Sequence, residues 1–366
     1  MDYVKRCMKR SSLAVMLLVA ASYSAAVLAI DCQAATSKID KAICADSELS
    51  RQDAKLNQYY GEVMGKLSPE GQSALRSDQR AWLRYRATAC GFADDDKQPG
   101  DLRCLQRLVY RRVDRVLALV AGQQEPSLYR FSVRSSYETT PDPSGGFPFW
   151  SESSIPQIDR NGLSTSIDWS DAQAWNVLIA KLIGGPEKSS LCAGGKGDVY
   201  REPHIHAASS LLITVTEERD DTCRNAGPNL MIFTGKGPFN VPKDHFMSET
   251  QYSIVMMRGD VHELQPADLF STGDDWRRLL TERVQQALQR RTRNPDENSD
   301  PSADAIRGIA TDPSNWMPGR DFSIRLNLSD LYPDETTGEF TVTIPWSDLQ
   351  GVLSFKGKRI LTAPNL

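Results

Sequence analysis

The stretch "VDRVLALVAGQQEPSLYRFSVR", residues 113–134, decides the fold. To its left, Val109, Val113, Val116 and Leu117 recur at helical spacing. To its right, "YRFSVR" alternates apolar and polar residues, the period of a strand. "AGQQEPS" breaks the first pattern before the second begins, so residues 121–128 read as a linker. It joins a helical unit, 30–120, to a strand-rich unit, 129–366.

Working back from the linker, the helical unit contains three long helices. Leu49, Leu56, Tyr60, Val63 and Leu67 share one face of the first, with Asp46 or Ser50 as its cap. "SPEGQ" ends it, and "QSALRSDQRAWLRYRATAC" forms the second with Leu75, Trp82 and Leu83 on its apolar side. After the loop "GFADDDKQPGD", Leu102, Leu105, Leu108 and the valines make the third. These read as a small antiparallel bundle.

Working forward, "SLLITVTEE", "NLMIFTG", "QYSIVMM", "DFSIRLNL" and "FTVTIPW" are short and β-branched or alternating. Two helices interrupt them, "DAQAWNVLIAKLI" and "DDWRRLLTERVQQALQRR". The expected class is a helical bundle followed by an α+β domain with a mostly antiparallel sheet. "RTRNPDENSDPSADA" reads as a mobile surface insertion.

The first residues carry Lys5, Arg6, Lys9 and Arg10 ahead of an uncharged apolar run, Leu13 to Leu28, with Val27 and Ala29 at the small-residue positions of a cleavage site. Residues 1–29 therefore read as a signal peptide, leaving no membrane anchor after cleavage and a periplasmic or secreted chain. Six cysteines follow it: Cys32, Cys44, Cys90, Cys104, Cys192 and Cys223. An even number in an exported chain implies disulfides, and sequence leaves several pairings open. Closure within each unit favours Cys32–Cys44, Cys90–Cys104 and Cys192–Cys223. A clip over the first short loop adds roughly 3 kcal/mol to a unit too small for a large core.

Charge is unevenly shared. Residues 30–120 carry a net +2 and residues 121–366 a net −9. An acidic exported domain disfavours nucleic acid and favours basic partners, although acidity also serves solubility alone. There is no G-x-S-x-G, H-E-x-x-H or phosphate loop, so no enzyme activity or cofactor is expected. In "REPHIH", Glu202, His204 and His206 fall on one face of a strand and are candidate metal ligands; a solvated histidine pair is the plainer reading. "GGFPFW" offers Phe147, Phe149 and Trp150 for stacking on a glycan or protein, or for filling a core edge. Asp94, Asp95 and Asp96, with Asp220 and Asp221 in "ERDD", are charges that a basic partner would meet, or plain solvated loops.

"DC" at Asp31-Cys32, "KAICADSELSRQDAKLNQYY" from Lys41, "DQRAWLRYRATAC" from Asp78 and "CLQRLVYRRVDRVLAL" from Cys104 make residues 31–119 resemble the LprI-type lysozyme inhibitor domain. That resemblance implies an exported helical domain, linked in some members to lysozyme inhibition. "HELQPADLFSTGDDWRRLLTERVQQAL" (262–288) and "GEFTVTIPWSDLQGVL" (338–353) resemble the RsiV-type extracellular domain, one branch of which binds lysozyme. The usual Gly-Gly-Ala-His turn of that family is replaced here by "TGKGPFN". Together the resemblances imply an envelope protein that binds a basic lysozyme-type muramidase and occludes its cleft; the alternative is a peptidoglycan-binding module without inhibitory activity.

Overall fold

The computed structural model describes residues 30–93, 99–121, 129–140, 149–161, 163, 167–184, 197–223, 230–234, 237–241, 245–290, 301–332 and 338–363. Four helices come first: α1 (Lys38–Ala45), α2 (Ser47–Met64), α3 (Pro69–Ala89) and α4 (Leu102–Ala121). Each start has a local cause. Ser37 caps α1, and Asp46 caps α2 by accepting from the Glu48 and Leu49 N–H groups at 2.9 and 3.0 Å. Ser68 caps α3, with Pro69 at the first helical position. Disulfides join Cys32 to Cys44 and Cys90 to Cys104. The first holds the entering chain on α1; the second ties the end of α3 to the start of α4.

The strand-rich region follows, with β1 (Phe131–Thr140), β2 (Phe149–Ile158), α5 (Trp169–Ile183), β3 (Gly197–Ser209), β4 (Leu212–Cys223), β5 (Leu230–Thr234), β6 (Gly237–Val241), β7 (His245–Met257) and β8 (Asp260–Glu263). Then come α6 (Pro266–Leu269), α7 (Asp275–Arg290), α8 (Ala303–Thr311), β9 (Trp316–Pro318), β10 (Phe322–Asn327), α9 (Leu328–Leu331), β11 (Glu339–Ile344), α10 (Trp346–Leu349) and α11 (Phe355–Thr362). The main sheet runs β1-β2-β3-β4-β7-β8, a second sheet β11-β10-β9, and β5-β6 form a hairpin. Every pair in the main sheet is antiparallel except β2 with β3. The fold is thus a helical region followed by a strand-rich domain with a mostly antiparallel sheet.

Two cores hold it. One packs α5, α7, α8 and the small sheet on the main sheet around Trp175, Leu280, Trp316 and Phe322. There Phe270 stacks flat on Trp276 at 4.8 Å, and Trp316 meets both edge-on. The other lies among the helices, around Leu56, Trp82, Leu105 and Val109, and also takes in Trp150 of β2 and Tyr200 of β3. The helical region is therefore closed on one side by the sheet.

Three expectations need correction. Phe149 and Trp150 are buried rather than available for surface stacking, because β2 turns them into the core. "RTRNPDENSDPSADA" is not wholly loop: Ser302 caps α8 inside its end, and residues 291–300 lie outside the described residues. β2 is a strand that its sequence does not announce, and β3 extends well beyond the "REPHIH" segment read as strand. "FWSESSIPQI" and "GDVYREPHIHAAS" carry serines, charges and a proline each. Pro156 is tolerated because β2 pairs with β3 only over Ser151–Ser153, leaving one side of Pro156 without a strand neighbour. The expected linker, at 122–128, lies outside the described residues, as do the signal segment and Cys192.

Candidate functional site: an acidic groove between helices and sheet

α4 meets the main sheet with three arginines. Arg111 reaches Asp220 of β4 at 3.0 Å, and Arg115 reaches Glu152 of β2 at 2.6 Å. Arg112 turns to α3, where it bonds Asp78 at 2.6 Å and Gln79 at 2.7 and 3.0 Å, and donates to the Tyr137 hydroxyl at 3.2 Å. The Arg112 and Arg115 pairs are buried. Charges there need partners, since an unpaired buried charge costs several kcal/mol. Tyr200 lies under Arg111, whose guanidinium carbon is 3.9 Å from the ring centroid. Burial pushes the Tyr85, Tyr137 and Tyr200 hydroxyls well above the ordinary tyrosine range, and Glu152 pushes all three in the same direction.

Beside this contact, where α4 gives way to the small sheet, a groove of about 340 Å³ opens. Arg111 and Tyr200 form one wall, Glu218, Arg219, Asp220 and Glu249 line it from the main sheet, and Glu339 closes the far side. Among the described lining residues four carboxylates face two guanidiniums; Asp220 is paired with Arg111 and Glu249 with Arg325 from beside the groove, which leaves Glu218 and Glu339 to carry the surplus of negative charge. The register explains the concentration: Glu202, Glu218 and Glu249 stand directly opposite one another on β3, β4 and β7. Like charges so placed repel, and each is offset locally. The Tyr200 hydroxyl donates to Glu202, His204 lies 3.4 Å from Glu218, and Arg325 of β10 pairs with Glu249. What this arrangement can do chemically is receive a cation from outside.

Asp220 thus reaches the groove, and Glu202 and His204 adjoin it. The metal reading of Glu202, His204 and His206 does not assemble. Glu202 is already engaged by Tyr200, and His204 lies against Glu218 on the neighbouring strand. Among the described residues no group of three or more His, Cys, Asp or Glu is placed to hold a metal ion. Asp94, Asp95, Asp96, Phe147 and the side chain of Asp221 lie outside the described residues. Sequence reasoning missed Arg111, Tyr200, Glu249 and Glu339. At the buried junction behind the groove, Arg112 and Arg115 did leave a signal: they continue the stripe of Leu105 and Leu108 at spacings of four and three.

A second polar cluster, also unforeseen, fastens α6 and α11 to the β7–β8 hairpin. Lys356 reaches Asp268 at 2.6 Å, and His262 bridges Asp260 at 2.8 Å and Asp268 at 3.1 Å. Burial alone would raise the Asp268 carboxyl, but hydrogen bonds from Lys356, the Gln265 N–H and His262 hold it below the usual range.

Residues 32–129 match the family described as lysozyme inhibitor LprI. An uncharacterized protein of Rhizobium meliloti is 27% identical over 113 residues, covering 26% of this chain and 81% of its own. The crystal structure of a DUF3298 family member from Bacteroides fragilis superposes with a TM-score of 0.41 at 12% identity, covering 64% of this chain and 96% of that one. A DUF3298 protein from Pseudomonas aeruginosa gives 0.35 at 11%, over 62% and 95%.

Proposed function

We propose that this chain is an exported, non-catalytic protein that binds a basic lysozyme-type muramidase and inhibits it by covering its glycan cleft. The observation that carries the reading is the match of residues 32–129 to the lysozyme inhibitor family. The acidic groove supports it physically. It lies where α4 meets the strand-rich domain, and its surplus of carboxylates suits a lysine or arginine of a cationic enzyme. The RsiV-type reading of residues 262–353 belongs to the same proposal, as does the independent folding of the units at 30–120 and 129–366.

Export is supported by the two disulfides, which persist in oxidising compartments. No helix among the described residues is long and apolar enough to cross a membrane. A third bond, Cys192–Cys223, is part of the proposal: Cys223 pairs in register with Gly197, a few residues after Cys192.

The test is a turbidity assay on cell-wall fragments, with the mature protein titrated against a basic muramidase. Lysis should slow in proportion to added protein and stop slowing at a fixed stoichiometry. Undiminished lysis at micromolar protein in low salt would remove the proposal.

A further inference from the structure

A cleft of about 400 Å³ separates α3 from β1, on the other side of the helical region's contact with the sheet. Its openness has a structural cause. α3 presents Gly71, Ala74 and Ala81 to it, which are too small to fill the space. Both ends are propped. At one, Asp159 accepts from the Ser68 N–H at 2.9 Å and its hydroxyl at 2.8 Å, and a Cβ on Gly71 would sit 2.0 Å from an Asp159 oxygen. At the other, Asp78 accepts from the Ser135 N–H at 3.2 Å and pairs with Arg112. Helix and strand are fixed relative to one another by these contacts, so the cleft beside them is preformed and within the size range of small-ligand sites.

The lining selects among ligand classes. Both buried carboxylates are engaged by their own partners, and among the described residues the lining adds one guanidinium, Arg134, and one further carboxylate, Glu70. That balance disfavours a phosphate or other anion. The Ser77 hydroxyl, the Gln157 amide and Arg134 disfavour a purely apolar ligand. What remains is a strip of small apolar side chains, Ala74 and Ala81, beside planar and hydroxylic hydrogen-bonding groups, with the half-buried indole of Trp169 also in the lining. Sugar rings present this combination, with C–H faces that lie on an aromatic ring and hydroxyls that bond planar side chains. We propose that the α3–β1 cleft binds a short uncharged oligosaccharide, independently of any muramidase bound at the acidic groove.

The test uses the full mature chain with chitotriose, cellotriose and maltotriose as probes, read by calorimetry and tryptophan fluorescence. Saturable binding of at least one is expected, at micromolar to millimolar concentration. Arg134→Ala should weaken it about tenfold, the loss of one charge-assisted hydrogen bond. Ala74→Trp, at an exposed helix position lining the cleft, should abolish it while circular dichroism and the melting temperature stay unchanged. If Ala74→Trp perturbs folding, Ser77→Trp, also exposed, serves the same purpose. Failure of all three sugars to bind at millimolar concentration, or binding that survives the filled cleft in a folded variant, would overturn the proposal. Muramidase binding should be the same in the filled-cleft variants, which separates this site from the groove.

Discussion

α3 and α4 both lie against the main sheet, and they do so by opposite means. α4 locks on through long cations: Arg115 to Glu152 and Arg111 to Asp220, with Tyr200 packed beneath. α3 touches β1 through small residues over its first half, between the Asp159 contact at its start and Asp78 at its middle, and through Tyr85 against Tyr137 beyond, so a cleft remains beside that first half. The difference shows how one interface serves two purposes. Ion pairs, one of them buried, fix the relative placement of helices and sheet at α4, and that fixed placement allows an unfilled space to persist at α3. Tight packing everywhere would give more stability and no cleft.

The largest effect should come from breaking the lock. Glu152→Gln leaves the Arg115 charge buried without its counter-ion, and should destabilise by about 3–5 kcal/mol in denaturant unfolding. Replacing both by apolar residues of similar size should recover most of that loss, which a double-mutant cycle would show. If Glu152→Gln costs nothing, the pair does not hold the two regions together. For the same reason a fragment of residues 30–120 should fold but less stably, because it keeps Asp78–Arg112 and loses the partner of Arg115.

The α3 end should respond less. Asp159→Ala removes a second acceptor from a helix N-terminus that Ser68 still caps, and should cost about 1–2 kcal/mol. Gly71→Ala should cost a similar amount through its clash with Asp159, and the two substitutions together should be less than additive, since removing the carboxylate removes the clash. Full additivity in thermal melts would mean that Asp159 does not prop the cleft.

The smallest effect is visible only at high pH. Tyr85, Tyr137 and Tyr200 have folded-state pKa values raised by burial, so the folded form holds their protons longer than the unfolded chain does. Their contribution is complete below the unfolded tyrosine value of about 10 and is lost as pH rises above it. Ultraviolet titration should show an exposed class ionising near the ordinary value and a second class appearing only with unfolding. A single class would contradict the packing of the sheet against α4.

The two regions were not equally legible. Leu49, Leu56 and Val63 mark a helix by spacing alone, and Asp46, Ser68 and Pro69 mark the ends, because capping is local chemistry. The two local disulfides follow the same logic. β2 and the full extent of β3 were hidden because their buried positions are polar: Glu152, Ser154, Asp198 and Arg201 need partners from distant elements, and alternation of apolar residues does not report them. The groove was hidden for a related reason. Glu202, Glu218 and Glu249 form a row only once three strands are in register, and Glu339 arrives from another sheet. Phe149 and Trp150 misled because an aromatic loop motif reads alike whether it faces solvent or a helix.

The central claim is that the acidic groove receives a basic muramidase, and calorimetric titration of that enzyme against the mature chain and its Glu218→Gln/Glu339→Gln variant tests it most directly. Glu339 is exposed, and neither glutamate supports the buried junction, so the variant should fold as the parent does. The account predicts that the parent binds at low salt, that added salt weakens binding, and that the variant binds at least tenfold more weakly with a shallower salt dependence. Equal affinity and equal salt dependence for the two proteins would contradict it.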